Sequence, residues 1–131
     1  MIAVFDTNIV IDALNGVPDA DIEYKRYESV LISRITWMEV LVGEQGDDAM
    51  IRNFLETKFD IIPVDLDISE RAVQLRRSHN NIRLPDAIIL ATALVHKTDL
   101  VTRNTKDFKP EWEGVRVPYT LTSEKPVEQI G

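Results

Sequence analysis

The chain has 131 residues, 44% of them hydrophobic, and 22 acidic against 15 basic side chains give a formal net charge of −7. That is one domain of ordinary size with enough apolar content for a core, while the acidic balance excludes a protein that coats DNA or RNA by neutralising phosphates. Zero cysteines exclude disulfides and thiolate metal sites.

Ile2-Ala3-Val4-Phe5 is fully apolar and reads as a buried central strand closed by Asp6. Asn8 to Asn15 reads as a first helix, ended by Gly16 and Pro18, and Asp19 to Tyr27 as a short polar one. Val30-Leu31-Ile32 is the second strand, followed by a helix from about Thr36 to Val42 with Gly43 as its stop. Asp47 and Asp48 begin another helix through about Thr57, with Met50, Ile51, Phe54 and Leu55 on one face. Ile61-Ile62 with Val64 is a short strand, and Ser69 opens a helix to about Ser78, before a loop at Asn80-Asn81. Pro85 starts the most hydrophobic helix, which runs to about His96. Leu100 to Thr102 and Val115 to Val117 close the sheet.

Strands alternating with helices predict a three-layer α/β/α domain with a mostly parallel central sheet. Residues 1–131 read as a single domain, with 118–131 as a polar, loosely held tail. No apolar run approaches the ~20 residues that cross a bilayer. The first residues reach a charge too early for a signal peptide, so the expected location is the cytoplasm.

Acidic residues fall where such a fold gathers them, because ligands of open α/β sheets bind beyond the carboxyl ends of the strands. Asp6 ends the first strand, where it also suits the N-cap of the following helix. Glu39 fits a capping box with Thr36, yet its neighbours Trp37, Met38, Val40, Leu41 and Val42 are apolar. A charge on a helix hydrophobic all round needs a partner or a metal. Asp86 gains from the dipole of the helix it opens, but that does not explain a charge at the start of so apolar a segment. Asn104 and Asp107 follow the fourth strand in a stretch of turn composition. Asp12 reads as a solvated or edge charge. His79 and His96 form neither a metal pair nor part of a Ser-His-Asp set. Asp65, Asp67 and Glu70 read as helix-opening surface.

A carboxylate set of this kind suits Mg²⁺ or Mn²⁺, which prefer oxygen ligands. Metal ions also supply the local positive charge that an acidic enzyme needs to handle phosphate. Arg76, Arg77, Arg83, Lys97, Arg103, Lys106 and Lys109 are the candidates for RNA contact, most of them equally well read as a solvated face.

Four segments, in this order, span nearly the whole chain: Phe5-Asp6-Thr7-Asn8, Ile35-Thr36-Trp37-Met38-Glu39, Leu84 to Ala93, and Leu100 to Phe108. In these the chain resembles PIN-domain ribonucleases of the VapC type, toxins of bacterial toxin–antitoxin pairs. The resemblance implies a parallel sheet flanked by helices and Mg²⁺- or Mn²⁺-dependent RNA cleavage. It also implies a VapB-like antitoxin partner and a homodimer. By position, it implies Asp6 and Asp86 as metal ligands and Glu39 as the third acid. Some members have an acid where Asn104 stands, others where Asp107 stands. Products would carry a 5′-phosphate and a 3′-hydroxyl.

Two carboxylates ~4 Å apart repel by ~4 kcal/mol at an effective dielectric near 20, so such a cluster invites a metal or an inserted cation. An antitoxin arginine would serve, with Ile11, Leu14, Trp37 and Leu41 offering either an apolar groove for its helix or plain core packing. A dehalogenase-like phosphatase would need a second aspartate where Asn8 stands. A receiver domain would need paired acids after the first strand. A PIN fold without catalysis, acting as a binding module, is the remaining alternative.

Overall fold

The computed structural model describes residues 1–121. In chain order the elements are β1 (Ile2–Phe5), α1 (Thr7–Leu14), α2 (Pro18–Lys25), β2 (Ser29–Ser33), α3 (Arg34–Gly43), α4 (Asp48–Lys58), β3 (Asp60–Ile62), α5 (Leu66–Ser78), α6 (Leu84–Val95), β4 (Asp99–Val101) and β5 (Val115–Arg116). The five strands form one sheet in the order β3-β2-β1-β4-β5, and every neighbouring pair is parallel.

Side chains alternate across each strand, so each strand serves both layers. Ala3, Phe5, Val30, Ile32 and Val101 join Ile9, Val10, Val40, Ile51, Leu55 and Phe59 in one core cluster. Val4, Leu31 and Leu100 join Ile68, Ala72, Leu75, Phe108 and the α6 residues Ala87, Ile89, Leu90, Ala91 and Ala93 in the other. Buried on both faces, β1 has to be apolar throughout, and Ala3, Val4 and Phe5 are fully buried. This is the expected α/β/α architecture.

Helix starts differ from the sequence expectation where a side-chain cap decides them. α3 begins two residues early because Ser33 caps it, its hydroxyl accepting from the Ile35 N–H at 3.1 Å. α5 begins before Ser69 because Asp65 accepts from the Ile68 N–H at 2.9 Å. Gly16, at φ +78°, ends α1 in the left-handed conformation that suits glycine. α3 is also not buried all round: Thr36 and Val40 are buried, whereas Met38 is 46% and Val42 83% exposed.

Pro118 to Leu121 lie within the described residues, and Tyr119 is docked there, its hydroxyl 2.7 Å from Asp12 Oδ2. The rest of the expected tail lies outside the described residues. Among the described residues, no helix is long and apolar enough to cross a membrane.

Candidate active site

The strand order reverses at β1, whose neighbours β2 and β4 run off to opposite sides. Crevices for ligands open at such switch points, beyond the carboxyl ends of the strands. Here the cleft has a volume of about 280 Å³ and is lined by Asp6, Thr7, Asn8, Ile11, Glu39, Arg83, Asp86 and Asn104. β1, α1, α3, α6 and the loop after β4 each contribute.

Asp6 is placed by backbone pairing. Phe5 is in register with Val101, and the Asp6 N–H donates to the Val101 carbonyl at 2.9 Å. One carboxylate oxygen caps α1, accepting from the Thr7 N–H at 2.8 Å, and the other accepts from the Thr102 hydroxyl at 2.7 Å. The N-cap reading of Asp6 therefore holds, and the same carboxylate still faces the cleft. It is only 4% exposed. Burial pushes its pKa up to about 7, against the two hydrogen bonds, with Asp86 and Glu39 adding repulsion.

Glu39 is not the closing residue of a capping box, since Ser33 caps α3 and places Glu39 in mid-helix. The Thr7 hydroxyl reaches its Oε1 at 2.6 Å and Thr36 Oγ1 at 3.2 Å. Thr7 has one hydroxyl proton, which the carboxylate claims as the stronger acceptor. The buried Thr36 hydroxyl then serves the second contact.

Asp86 is the third residue of α6 and is 6% exposed. Its pKa is raised, first by burial, then by Asp107 and Glu39, while Arg83 pulls it down from a distance of 3.3 Å. Asn104 and Asp107 are bound to each other. Asn104 lines the cleft and donates its amide to Asp107 Oδ2 at 2.8 Å, and the Asp107 N–H returns to Asn104 Oδ1 at 3.2 Å. Asp107 does not line the cleft, but its charge acts on Asp86 and Arg83.

The donor set suits a hard divalent cation. It is all oxygen, two carboxylates are penalised for holding charge without one, and the buried Asn8 Oδ1 has no hydrogen-bond partner. As they stand, no three His, Asp or Glu side chains among the described residues enclose an ion-sized space. Arg83 holds Asp86, and Thr7 holds Glu39.

Thr7 and Asn8 line the cleft and Thr102 holds Asp6, and the sequence reading singles out none of the three. Thr7 and Asn8 directly follow Asp6, and Thr102 is the polar residue that closes β4 as Asp6 closes β1, so adjacency and parallel register were the available signals. Asp12 is not the solvated or edge charge expected. It is 4% exposed and takes both the Arg103 Nε, at 2.7 Å, and Nη2, at 3.1 Å. That occupies Arg103, one of the expected RNA contacts. Glu23 is likewise buried and held by Arg116, although it lies on the short polar helix α2. Trp37, Leu41, Ile11 and Leu14 are half-buried and pack against the core that contains Ile9 and Val40. Arg34 and Arg52 lie over the Trp37 ring at 4.8 and 5.0 Å.

The PIN domain family model matches residues 3–109. A ribonuclease VapC19 of Mycobacterium tuberculosis is 30% identical over 122 residues, covering 87% of this chain and 97% of that protein. A ribonuclease VapC of Rickettsia bellii is 26% identical, covering 88% of this chain and 96% of its own. Among solved structures, a toxin-antitoxin complex from Klebsiella pneumoniae superimposes with a TM-score of 0.82 at 45% identity, covering 91% of this chain and 99% of that one.

Proposed function

Because this chain belongs to the PIN-domain family, we propose that it is a Mg²⁺-dependent endoribonuclease, the toxin of a VapBC-type toxin–antitoxin pair. The observation that carries the reading is the convergence of Asp6, Glu39 and Asp86, from three separate elements, on one cleft at the β1–β4 switch point.

Asp6 and Asp86 would hold the ion, with Glu39 beside them and Asp107 as a further charge. A bound Mg²⁺ or Mn²⁺ supplies Lewis-acid stabilisation of charge on the phosphoryl oxygens. Thr102 and the Thr7 N–H fix the Asp6 carboxylate, and the Thr7 hydroxyl fixes Glu39, so neither acid has to reorganise when charge develops. Glu39 is oriented to position an attacking water. Water attack breaks the bond from phosphorus to the 3′-oxygen, leaving a 3′-hydroxyl and a 5′-phosphate. Preference for RNA then comes from shape and contacts along the strand.

The partner is a VapB-like antitoxin, and the assembly a homodimer. The similar solved structure from Klebsiella pneumoniae is a toxin–antitoxin complex, which supports such a partner. The exposed apolar residues Met38 and Val42 flank Glu39 on α3 and offer such a partner a landing surface. An RNA substrate and a cysteine-free chain fit the cytoplasm. The whole chain acts as one PIN domain.

The test is incubation of purified, antitoxin-free protein with total cellular RNA, with and without Mg²⁺, followed by mapping of the new ends. Metal-dependent cuts bearing 5′-phosphates are expected. Intact RNA under both conditions would leave a PIN fold that only binds.

A further inference from the structure

Arg83 occupies a place that disfavours it. As the residue before α6, it flanks the positive end of the helix dipole, and its side chain offers no acceptor to the free N–H groups there. The guanidinium turns instead toward the acids. Its Nε lies 3.3 Å from Asp86 Oδ2, and Asp86, Asp107 and Glu39 all act on it, raising its pKa. Among the described residues lining the cleft it is the single cation.

The two partners are unequally held. The Arg83 side chain is 69% exposed and that of Asp86 8%. The carboxylate is therefore fixed by packing, and the arginine is the partner free to swing. An ion pair this exposed contributes little to stability, so stability alone is a poor reason for a cation at this position.

Resting on the ribonuclease reading above, we propose that Arg83 grips the scissile phosphate of the RNA and is parked on Asp86 until a divalent ion takes that carboxylate. Arg83 and the ion compete for Asp86, and they repel each other. Once displaced, the guanidinium remains in the same cleft, where its planar fork of N–H donors matches two phosphate oxygens. The residue thus weakens metal binding in the free protein and assists the reaction once metal and RNA are present. A purely structural ion pair would compete with the metal but leave the metal-saturated reaction unassisted, and a simple RNA-tethering contact would leave metal affinity alone.

The experiment is a calorimetric titration of Mn²⁺ into the antitoxin-free chain without RNA, for the wild type, Arg83→Ala and Arg83→Lys. It is paired with single-turnover cleavage at saturating Mn²⁺. Removing the positive charge that competes for Asp86 should tighten Mn²⁺ binding by at least about tenfold, the limit set by full solvent screening. The same Arg83→Ala variant should cleave about 100-fold more slowly, as expected for a lost transition-state donor. Arg83→Lys keeps the charge without the fork, so it should bind Mn²⁺ like the wild type and recover only part of the rate. Mn²⁺ affinity unchanged or weakened in Arg83→Ala, or a wild-type rate in that variant, overturns the proposal. A wild-type chain that neither binds Mn²⁺ nor cleaves overturns the ribonuclease reading and this proposal with it. A wild type that does both, beside an indifferent Arg83→Ala, overturns this proposal alone.

Discussion

The Thr102 hydroxyl donates to the Asp6 carboxylate across 2.7 Å and joins the ends of β1 and β4, two strands far apart in sequence. The same hydroxyl oxygen accepts from the Asn104 N–H at 3.0 Å. One small side chain thereby orients both the deepest acid of the site and the loop that carries Asn104. Thr102→Val should keep the fold and lower metal-dependent cleavage by ~10–100-fold, the usual consequence of losing an outer-shell partner. Its metal titration should shift to higher Mg²⁺ concentration. Unchanged titration and turnover would assign Thr102 to packing alone.

Asp6 sets the pH behaviour. Its carboxyl binds a proton more tightly folded, at about 7, than its usual value of 3.8. Between those values the folded state holds the extra proton, so stability of the metal-free protein falls as pH rises through that window and levels off above about 7. The penalty at pH 8 is at most on the order of 4 kcal/mol. Metal binding requires the ionised form, so cleavage should rise with pH over the same window. Asp6→Asn should be inactive yet melt at a higher temperature than the wild type at pH 8, with little difference at pH 4. Calorimetric melting of both proteins at the two pH values decides this; equal stability at pH 8 would show that the carboxylate carries no burial penalty.

Asn104 and Asp107 act as a hydrogen-bonded pair. Only Asp107 brings charge, and that charge reaches Asp86. Asp107→Ala should therefore weaken the metal response more than Asn104→Ala, and the double variant should resemble Asp107→Ala because the two residues share one interaction. Metal titration of activity in the three variants provides the comparison. A larger defect in Asn104→Ala would make its amide oxygen the fourth ligand.

Asp12 anchors three segments, α1, the loop after β4 and the chain at Tyr119. Asp12→Ala removes a buried carboxylate that accepts from both Arg103 and Tyr119. The expected loss is about 1–3 kcal/mol, typical for losing hydrogen bonds to a buried charged group. Urea denaturation measures it, and a change below about 0.5 kcal/mol would return Asp12 to the ordinary surface class.

Val42 is 83% exposed on α3, one turn from Glu39. If the antitoxin covers this face, Val42→Asp should weaken the complex by roughly tenfold or more, since it places a charge in a desolvated apolar contact. Cleavage by the free chain should be untouched. Equal antitoxin affinity for both proteins would locate the partner elsewhere.

The fold class was legible because burial writes itself into local pattern. A strand covered on both faces must be apolar throughout, as Ile2 to Phe5 is, and a helix as enclosed as α6 must be nearly all apolar, so Asp86 stands out by its charge. Asp6 and Asp86 were legible for the same reason, whereas Glu39 stands on a helix that exposes Met38 and Val42, so its apolar neighbours overstated its burial. The partners of those acids could not be read. Thr102 and Thr7 are common polar residues whose importance lies in register and helix orientation, across strands and helices far apart in the chain. Asp12 and Glu23 sit in helices whose local sequence permits exposure, and they are buried because Arg103 and Arg116 arrive from beyond residue 100 to neutralise them. Sequence determined that charges such as Asp6 and Asp86, set at the ends of fully apolar segments, are carried into the interior. Tertiary structure decided which cation or hydroxyl meets each one, because that pairing depends on distances that only the closed sheet fixes.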